Sequence, residues 1–512
     1  MYRTTRRRVL QSGAAGALAL ATPLRFSLAA KKGGVMRMGK AHGQTADNLD
    51  PGTYENGFMI AMTLGVHNYL TEVNAAGEVQ PELAESWEPS QDAATWTFSL
   101  RKGVVYHNGQ PLTAEDVIAS INHHRREDST SAAKPIVAPI KNISADGQHT
   151  VVFELEAGNA DFPFVLSDYH LPIMPSKDGQ PDWQSGIGAG AYAIKNFDPG
   201  VRLDLAKHAD YWKSDRGHFD EIQMLTIVDP AARTNALITG QVDAIDRVDL
   251  KTVHLLKRRP GLEVHSIAGT QHYTFAMRTN VAPFNDNNVR MALKHAINRE
   301  EMVEKILQGF GVVGNDHPIG PGQRFFANEL EQRTYDPDKA KHFLKQAGLD
   351  QLDVALSSAD AAYAGAVDAA SLFAESAKSA GLNIQVVREP NDGYWSNVWN
   401  TKPFCAVYWG GRPTADWMFS PAYEAGVAWN DTVWEHEKFN KLLKEARAEL
   451  DVDKRRTMYS EMQQIVRDEG GTIVPMFASY VFATSAKLGH SQTLASNWDL
   501  DGERWMERWW FA

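Results

Sequence analysis

Between residues 352 and 409 the chain alternates in a manner that few folds accept. Residues 352–356 read as a strand, 361–380 as a helix stopped by Gly381, and 383–387 as a second strand. Residues 392–399 read as a short helix and 404–409 as a third strand. Strand–helix–strand–helix–strand requires crossover connections, so the pattern predicts a largely parallel sheet covered by helices. In such sheets ligands settle beyond the carboxyl ends of the strands. The loop after Trp409 lies at one such end.

The flanks carry their own signals. After Asp286, the residues Val289, Leu293, Ala296 and Ile297 fall on one helical face. Asn298 and Glu301 have the spacing of a capping box for a helix ending at Gly309. Asp336 and Pro337 suit the cap and first position of a third helix, closed by Gly348. Two amphipathic helices, 435–450 and 453–468, precede a strand at 472–477. Upstream, residues 95–100 alternate with period two and 151–155 follow the turn Asp146-Gly147. Thr113, with Asp116 three positions on, opens a helix whose apolar face is Val117, Ile118 and Ile121. No repeat and no low-complexity linker divides the chain, so its domains are expected to interleave.

At 512 residues the chain exceeds one compact domain, and 43% hydrophobic residues suffice for real cores. A formal charge of −11 with no basic stripe argues against nucleic acid as a partner. Mean hydropathy of −0.37 argues against a polytopic membrane protein. The single thiol, Cys405, forms no internal disulfide and excludes a cysteine-based zinc site.

The first 29 residues read as an address. Arg3, Arg6, Arg7 and Arg8 precede a short Ala- and Gly-rich apolar stretch, too short to span a bilayer, and Ser27-Leu28-Ala29 offers a cleavage site. Arg6-Arg7-Arg8-Val9-Leu10 resembles a twin-arginine export signal; an ordinary secretory signal with extra arginines is the alternative. Either predicts a periplasmic protein. No cysteine follows the cleavage site, so no lipid anchor is expected there.

No catalytic set stands out. HExxH, a P-loop and, beyond the signal, GxSxG are missing. The run Gly186-Ile187-Gly188-Ala189-Gly190 leads into a strand, not the helix a dinucleotide fingerprint needs. His123 and His124 are adjacent, point to different helix faces, and read as a solvated polar face rather than a metal site. Neither a cofactor nor a metal is expected.

Residues 81–117, PELAESWEPSQDAATWTFSLRKGVVYHNGQPLTAEDV, closely resemble the signature of bacterial extracellular solute-binding proteins of family 5. These are the dipeptide-, oligopeptide- and nickel-binding components of ABC importers. Further pieces follow in the family's order: Asn48-Leu49-Asp50-Pro51, Gly188 to Tyr192, Asp210-Tyr211-Trp212, and Gly240-Gln241-Val242-Asp243. Pro283-Phe284-Asn285-Asp286 with Val289-Arg290, and Tyr335-Asp336-Pro337 with Ala340 and Gly348, complete the set.

The resemblance implies an α/β, two-lobed periplasmic binding protein fold with an extra subdomain in the first lobe and a hinge crossed twice. Residues 30–52, 188–268 and 487–512 would form the first lobe, 53–187 the extra subdomain, and 269–486 the second lobe. It implies a monomeric, non-enzymatic protein that captures a small peptide-like or opine-like solute in the cleft and delivers it to an inner-membrane ABC permease. A periplasmic hydrolase and a nickel or haem carrier are the alternatives.

One departure bears on the ligand. Peptide-binding relatives often carry an acid-rich loop after a Trp, whose aspartate pairs with the peptide ammonium. Here the loop reads Trp409-Gly410-Gly411-Arg412-Pro413-Thr414-Ala415-Asp416-Trp417. Arg412 stands where the first acid belongs, and a guanidinium suits a ligand carboxylate or phosphate. Its alternative role is a salt bridge at the cleft rim. Asp416 either meets the ligand or caps the segment after it, and Trp409 and Trp417 either stack on ligand or fill core. The expected ligand-binding set is Arg412, Asp416, Trp409, Gly410, Gly411, Trp417, Tyr394 and Gln44.

Overall fold

The computed structural model describes residues 33–512, so the export signal lies outside the described residues. Two lobes share one eleven-stranded sheet. Its path begins with Tyr192–Asp198, Arg202–Lys207, Glu221–Thr226, Val35–Lys40 and Ala244–Ile245. It continues through the long strands Thr472–Ser485 and Leu262–Met277, and ends with Phe404–Trp409, Leu352–Ser358 and Leu382–Arg388.

The alternating segment folds as its pattern requires, but the sheet is mixed rather than largely parallel. Leu352–Ser358 runs parallel to both its neighbours, and Val35–Lys40 does the same in the first lobe. The other pairings in the sheet are antiparallel, because Phe404–Trp409 meets Leu262–Met277 running the opposite way. The helix expected from residue 361 starts at Ala366, after Gly365 at φ +84°. The preceding residues form a turn held by the Asn391 side chain, whose oxygen accepts from Ala361 N at 2.9 Å. The last expected strand runs on past 477 as Thr472–Ser485.

The long strands pair in two stretches. Residues 262–268 pair with 479–485, and the register then shifts between Ala268 and His272 before pairing resumes against residues 472–477. The bulge lies where the lobes meet. First-lobe packing centres on Met36, Met38, Phe58, Leu205, Phe482 and Trp505. The second-lobe core gathers Phe275, Leu293, Leu356, Phe373, Ala406 and Phe419.

A separate four-stranded antiparallel sheet, with Thr95–Leu100 and Thr150–Leu155 at its centre, packs Trp96, Phe98, Phe153 and Phe162 under the helix Ala114–Arg125. That helix opens as expected: Asp116 Oδ2 accepts from Thr113 N at 2.8 Å. The expectation of solvated histidines on it is corrected. His123 and His124 are buried, with His123 Nε2 2.8 Å from Asp50 Oδ1 and His124 Nδ1 2.7 Å from Ser131 Oγ. The glycine run is structural too. A Cβ on Gly188 would lie 2.0 Å from the Val66 carbonyl oxygen, and the strand Tyr192–Asp198 follows.

The C-terminal segment is bound in by charge. Buried Glu72, Glu82 and Glu507 are ringed by Lys213, Arg504 and Arg508, with Lys213 Nζ 2.6 Å from Glu82 and Arg508 Nη2 2.9 Å from Glu72. Cations already satisfy this acidic trio, so it serves as a staple.

Candidate functional site: the cleft between the lobes

Two chain segments end their strands at the same place. Ala244–Ile245 runs parallel to Val35–Lys40, so Lys40 and the pair Asp246-Arg247 emerge together at carboxyl ends. Asp246 and Arg247 face a cavity of about 670 Å3 between the lobes. Trp498, Asp499 and Glu503 of the C-terminal segment complete the first-lobe wall. Tyr273, residues 361–364, Tyr408, Gly410 and Gly411 form the opposite wall, and Tyr480 stands at the joint.

Charge is organised beneath this floor. Lys40 is fully buried, and its Nζ donates to both Glu503 oxygens at 2.8 and 2.9 Å and lies 3.2 Å from Asp246 Oδ2. Burial alone would lower the Lys40 pKa, but the surrounding carboxylates more than offset it and raise it above the usual lysine value. Asp246 also accepts from Ala41 N at 2.7 Å and faces Arg233 at 3.7 Å. One ammonium cannot satisfy three acids. Burial pushes the Glu503 carboxyl up to about 8 despite Lys40, and burial with the neighbouring Asp246 charge pushes Asp499 up to about 6. Burial and then Arg247 hold His42 down at about 4, so it is neutral at pH 7.

The wall across the cleft is aromatic. Tyr273 stacks on Tyr363 with ring centroids 4.0 Å apart and planes 7° apart. Tyr363 is buried and its Oη has no hydrogen-bond partner among the described residues. Tyr408 packs edge-on to Trp395 and keeps 42% of its surface exposed.

Of the eight expected site residues, Gly410 and Gly411 line this cavity. Gly411 is pressed against its neighbour: a Cβ there would fall 1.4 Å from Thr270 Oγ1. Arg412 turns back on its own loop, Nη1 donating to the Gly410 and Gly411 carbonyls at 3.3 and 3.2 Å. Asp416 pairs with Arg447 Nε at 3.0 Å rather than with Arg412. The helix Ala415–Ala422 is capped by Thr414, whose Oγ1 accepts from Trp417 N. Asp416 and Trp417 line a different pocket of about 440 Å3, against Ile136 and Val165 of the small-sheet body. Trp409 and Tyr394 are core, and Tyr394 Oη donates to the Ala406 carbonyl at 2.8 Å. Gln44 sits in an exposed turn where its N–H donates to Asp47.

Arg247, Tyr363, Tyr480, Asp499 and Glu503 were outside the expected set. A signal existed for Asp246-Arg247: two charges directly after a short apolar strand, beyond the Gly240-Gln241-Val242-Asp243 turn. The position of Asp499 carries no such local mark.

The sequence and the fold were compared with known proteins. Residues 78–431 match the model of bacterial extracellular solute-binding proteins, family 5 middle. Di/tripeptide-binding protein 1 of Pseudomonas aeruginosa (strain UCBPP-PA14) is 26% identical over 478 residues, covering 86% of this chain and 89% of the relative. The structure of HbpA2 from Haemophilus parasuis superposes with a TM-score of 0.80 at 21% identity, covering 89% of this chain and 96% of that one. AgaA from A. tumefaciens R10, in complex with agropinic acid, superposes with a TM-score of 0.73 at 21% identity, covering 94% and 99%. No helix among the described residues is long and apolar enough to cross a membrane. The match spans most of the chain, and the two-lobed architecture agrees with it: the protein belongs to the bacterial extracellular solute-binding proteins of family 5.

Proposed function

We propose that this protein works in the periplasm as the capture component of an ABC importer. It takes a small peptide-like or opine-like solute into the cleft and passes it to an inner-membrane permease. The observation that carries this is the cavity itself. About 670 Å3 is framed by charged groups on one lobe and tyrosines on the other, the composition of a site that encloses a small polar solute. The names of its relatives support the ligand class: one is a di/tripeptide-binding protein, and AgaA holds agropinic acid. Closure of two lobes around the ligand would complete the site.

The test is capture without turnover. The protein lacking residues 1–29 is screened by thermal shift and native mass spectrometry against dipeptides, tripeptides and opines. A ligand at a hundred times its Kd adds about 2.7 kcal/mol of stability. The expected result is one solute per protein, recovered unchanged. Absence of any shift, or hydrolysis of a probe over many cycles, overturns the proposal.

A further inference from the structure

The cleft holds two opposite charges that form no close ion pair among the described residues, although Lys40 and Arg247 lie near enough to Asp499 to offset part of its burial. Arg247 and Asp499 both line the 670 Å3 cavity, and both also line an adjoining cavity of about 210 Å3, so they stand together on a shared wall. No ion pair or side-chain hydrogen bond engages Arg247 among the described residues, although its carbonyl accepts from Arg233 Nη2 at 2.9 Å. That bond anchors a backbone held at φ +44°, an unfavourable conformation for a residue with a side chain. Among the described residues the Asp499 carboxylate accepts only from the adjacent Leu500 N, at 2.8 Å. The other acids of the floor are engaged, Glu503 by Lys40 and Asp246 by Lys40 and Arg233. Opposite them, the buried Tyr363 Oη has no hydrogen-bond partner among the described residues.

Resting on the capture reading above, we propose that Arg247 and Asp499 are the specificity-determining residues of the cleft. Together they read a zwitterionic solute from the first lobe, its ammonium on Asp499 and its carboxylate on Arg247. Tyr363 Oη supplies a hydrogen bond from the second lobe. An enclosed charge without a counter-charge is costly, so a solute lacking either end leaves one of these groups stranded on closure. The Arg412 guanidinium has no part in this recognition, since it is turned onto the Gly410 and Gly411 carbonyls of its own loop.

The experiment measures selectivity by calorimetry. Free dipeptides and N-carboxyalkyl amino acids are compared with their N-acylated and carboxamide forms. On the unaltered protein each blocked form should bind roughly 30-fold or more weakly than the free form. Asp499→Asn should erase discrimination at the amine end only, and Arg247→Gln at the carboxylate end only. A merely structural role would lower all affinities together and leave these ratios unchanged. Blocked forms binding as tightly as free ones, or ratios unmoved by both variants, overturn the assignment while leaving solute capture standing. Failure of every free compound to bind removes capture and this inference together.

Discussion

Asp161 and Arg455, 294 residues apart, form a buried two-pronged ion pair with N–O distances of 2.8 and 2.6 Å. Asp161 precedes the helix Phe162–Val165 of the small-sheet body, and Arg455 lies on Val452–Glu469 of the second lobe. Beside them Ala160 N donates to the Arg447 carbonyl at 2.7 Å. The small body is therefore bolted to the second lobe by charge as well as backbone. Asp161→Ala leaves Arg455 buried without a counter-charge and should cost about 3–5 kcal/mol. Urea denaturation measures this, and a loss below about 1 kcal/mol would show that water takes the place of the carboxylate.

Arg412→Ala should act on stability rather than on binding. Its guanidinium braces the Gly410 and Gly411 carbonyls, and its own carbonyl accepts from Gln323 Nε2 at 3.1 Å. Losing charge-assisted bonds of this kind costs about 1.5–3 kcal/mol. The melting temperature of the ligand-free protein should fall, with affinity in the cleft held within threefold. A large loss of affinity at unchanged melting temperature would return Arg412 to the ligand.

A buried acid in the second lobe should make stability depend on pH. Burial pushes the Asp431 carboxyl up to about 7, only partly offset by the indoles of Trp399 and Trp409. Trp399 Nε1 donates to Asp431 Oδ2 at 3.2 Å. An unfolded aspartate titrates near 3.9, so from about pH 4 to 7 the folded state keeps a proton that the unfolded state releases. Stability from this group therefore declines as pH rises through that window and stays low above it. Asp431→Asn removes the penalty and should gain about 2–4 kcal/mol at pH 8 and little at pH 4, read from paired thermal melts. An equal effect at both pH values would rule this out.

What the sequence shows directly depends on how local each signal is. Asp336 accepts from Lys339 N at 2.9 Å at the head of Pro337–Gln346, and Gly348 at φ +76° follows the helix, as their spacing predicts. The loop after Trp409 does border the cleft, because strand direction follows from the alternating pattern. Its side chains are another matter. Asp416 is taken by Arg447, 31 residues on, a partner that only the packing of helices brings close. Asp499 and Arg247, far apart in the chain, come to one cavity wall only through the fold. Leu500 and Asp501 after Asp499 hold φ of +48° and +61°, left-handed values that only the following Gly502, at φ +70°, adopts without strain. Where tertiary contact overrides local preference, the sequence alone is silent.

The joint between the lobes has a further consequence. It consists of two hydrogen-bonded strands with a bulge between Ala268 and His272, and each strand lies partly in either lobe. A protease seeking the boundary meets backbone already committed to a ladder, so digestion should trim surface loops first. Neither lobe can be cut out as one continuous fragment, since each would carry away half of both long strands. The two halves must therefore be made as one piece, and neither can reach its native form while the other is still being synthesised.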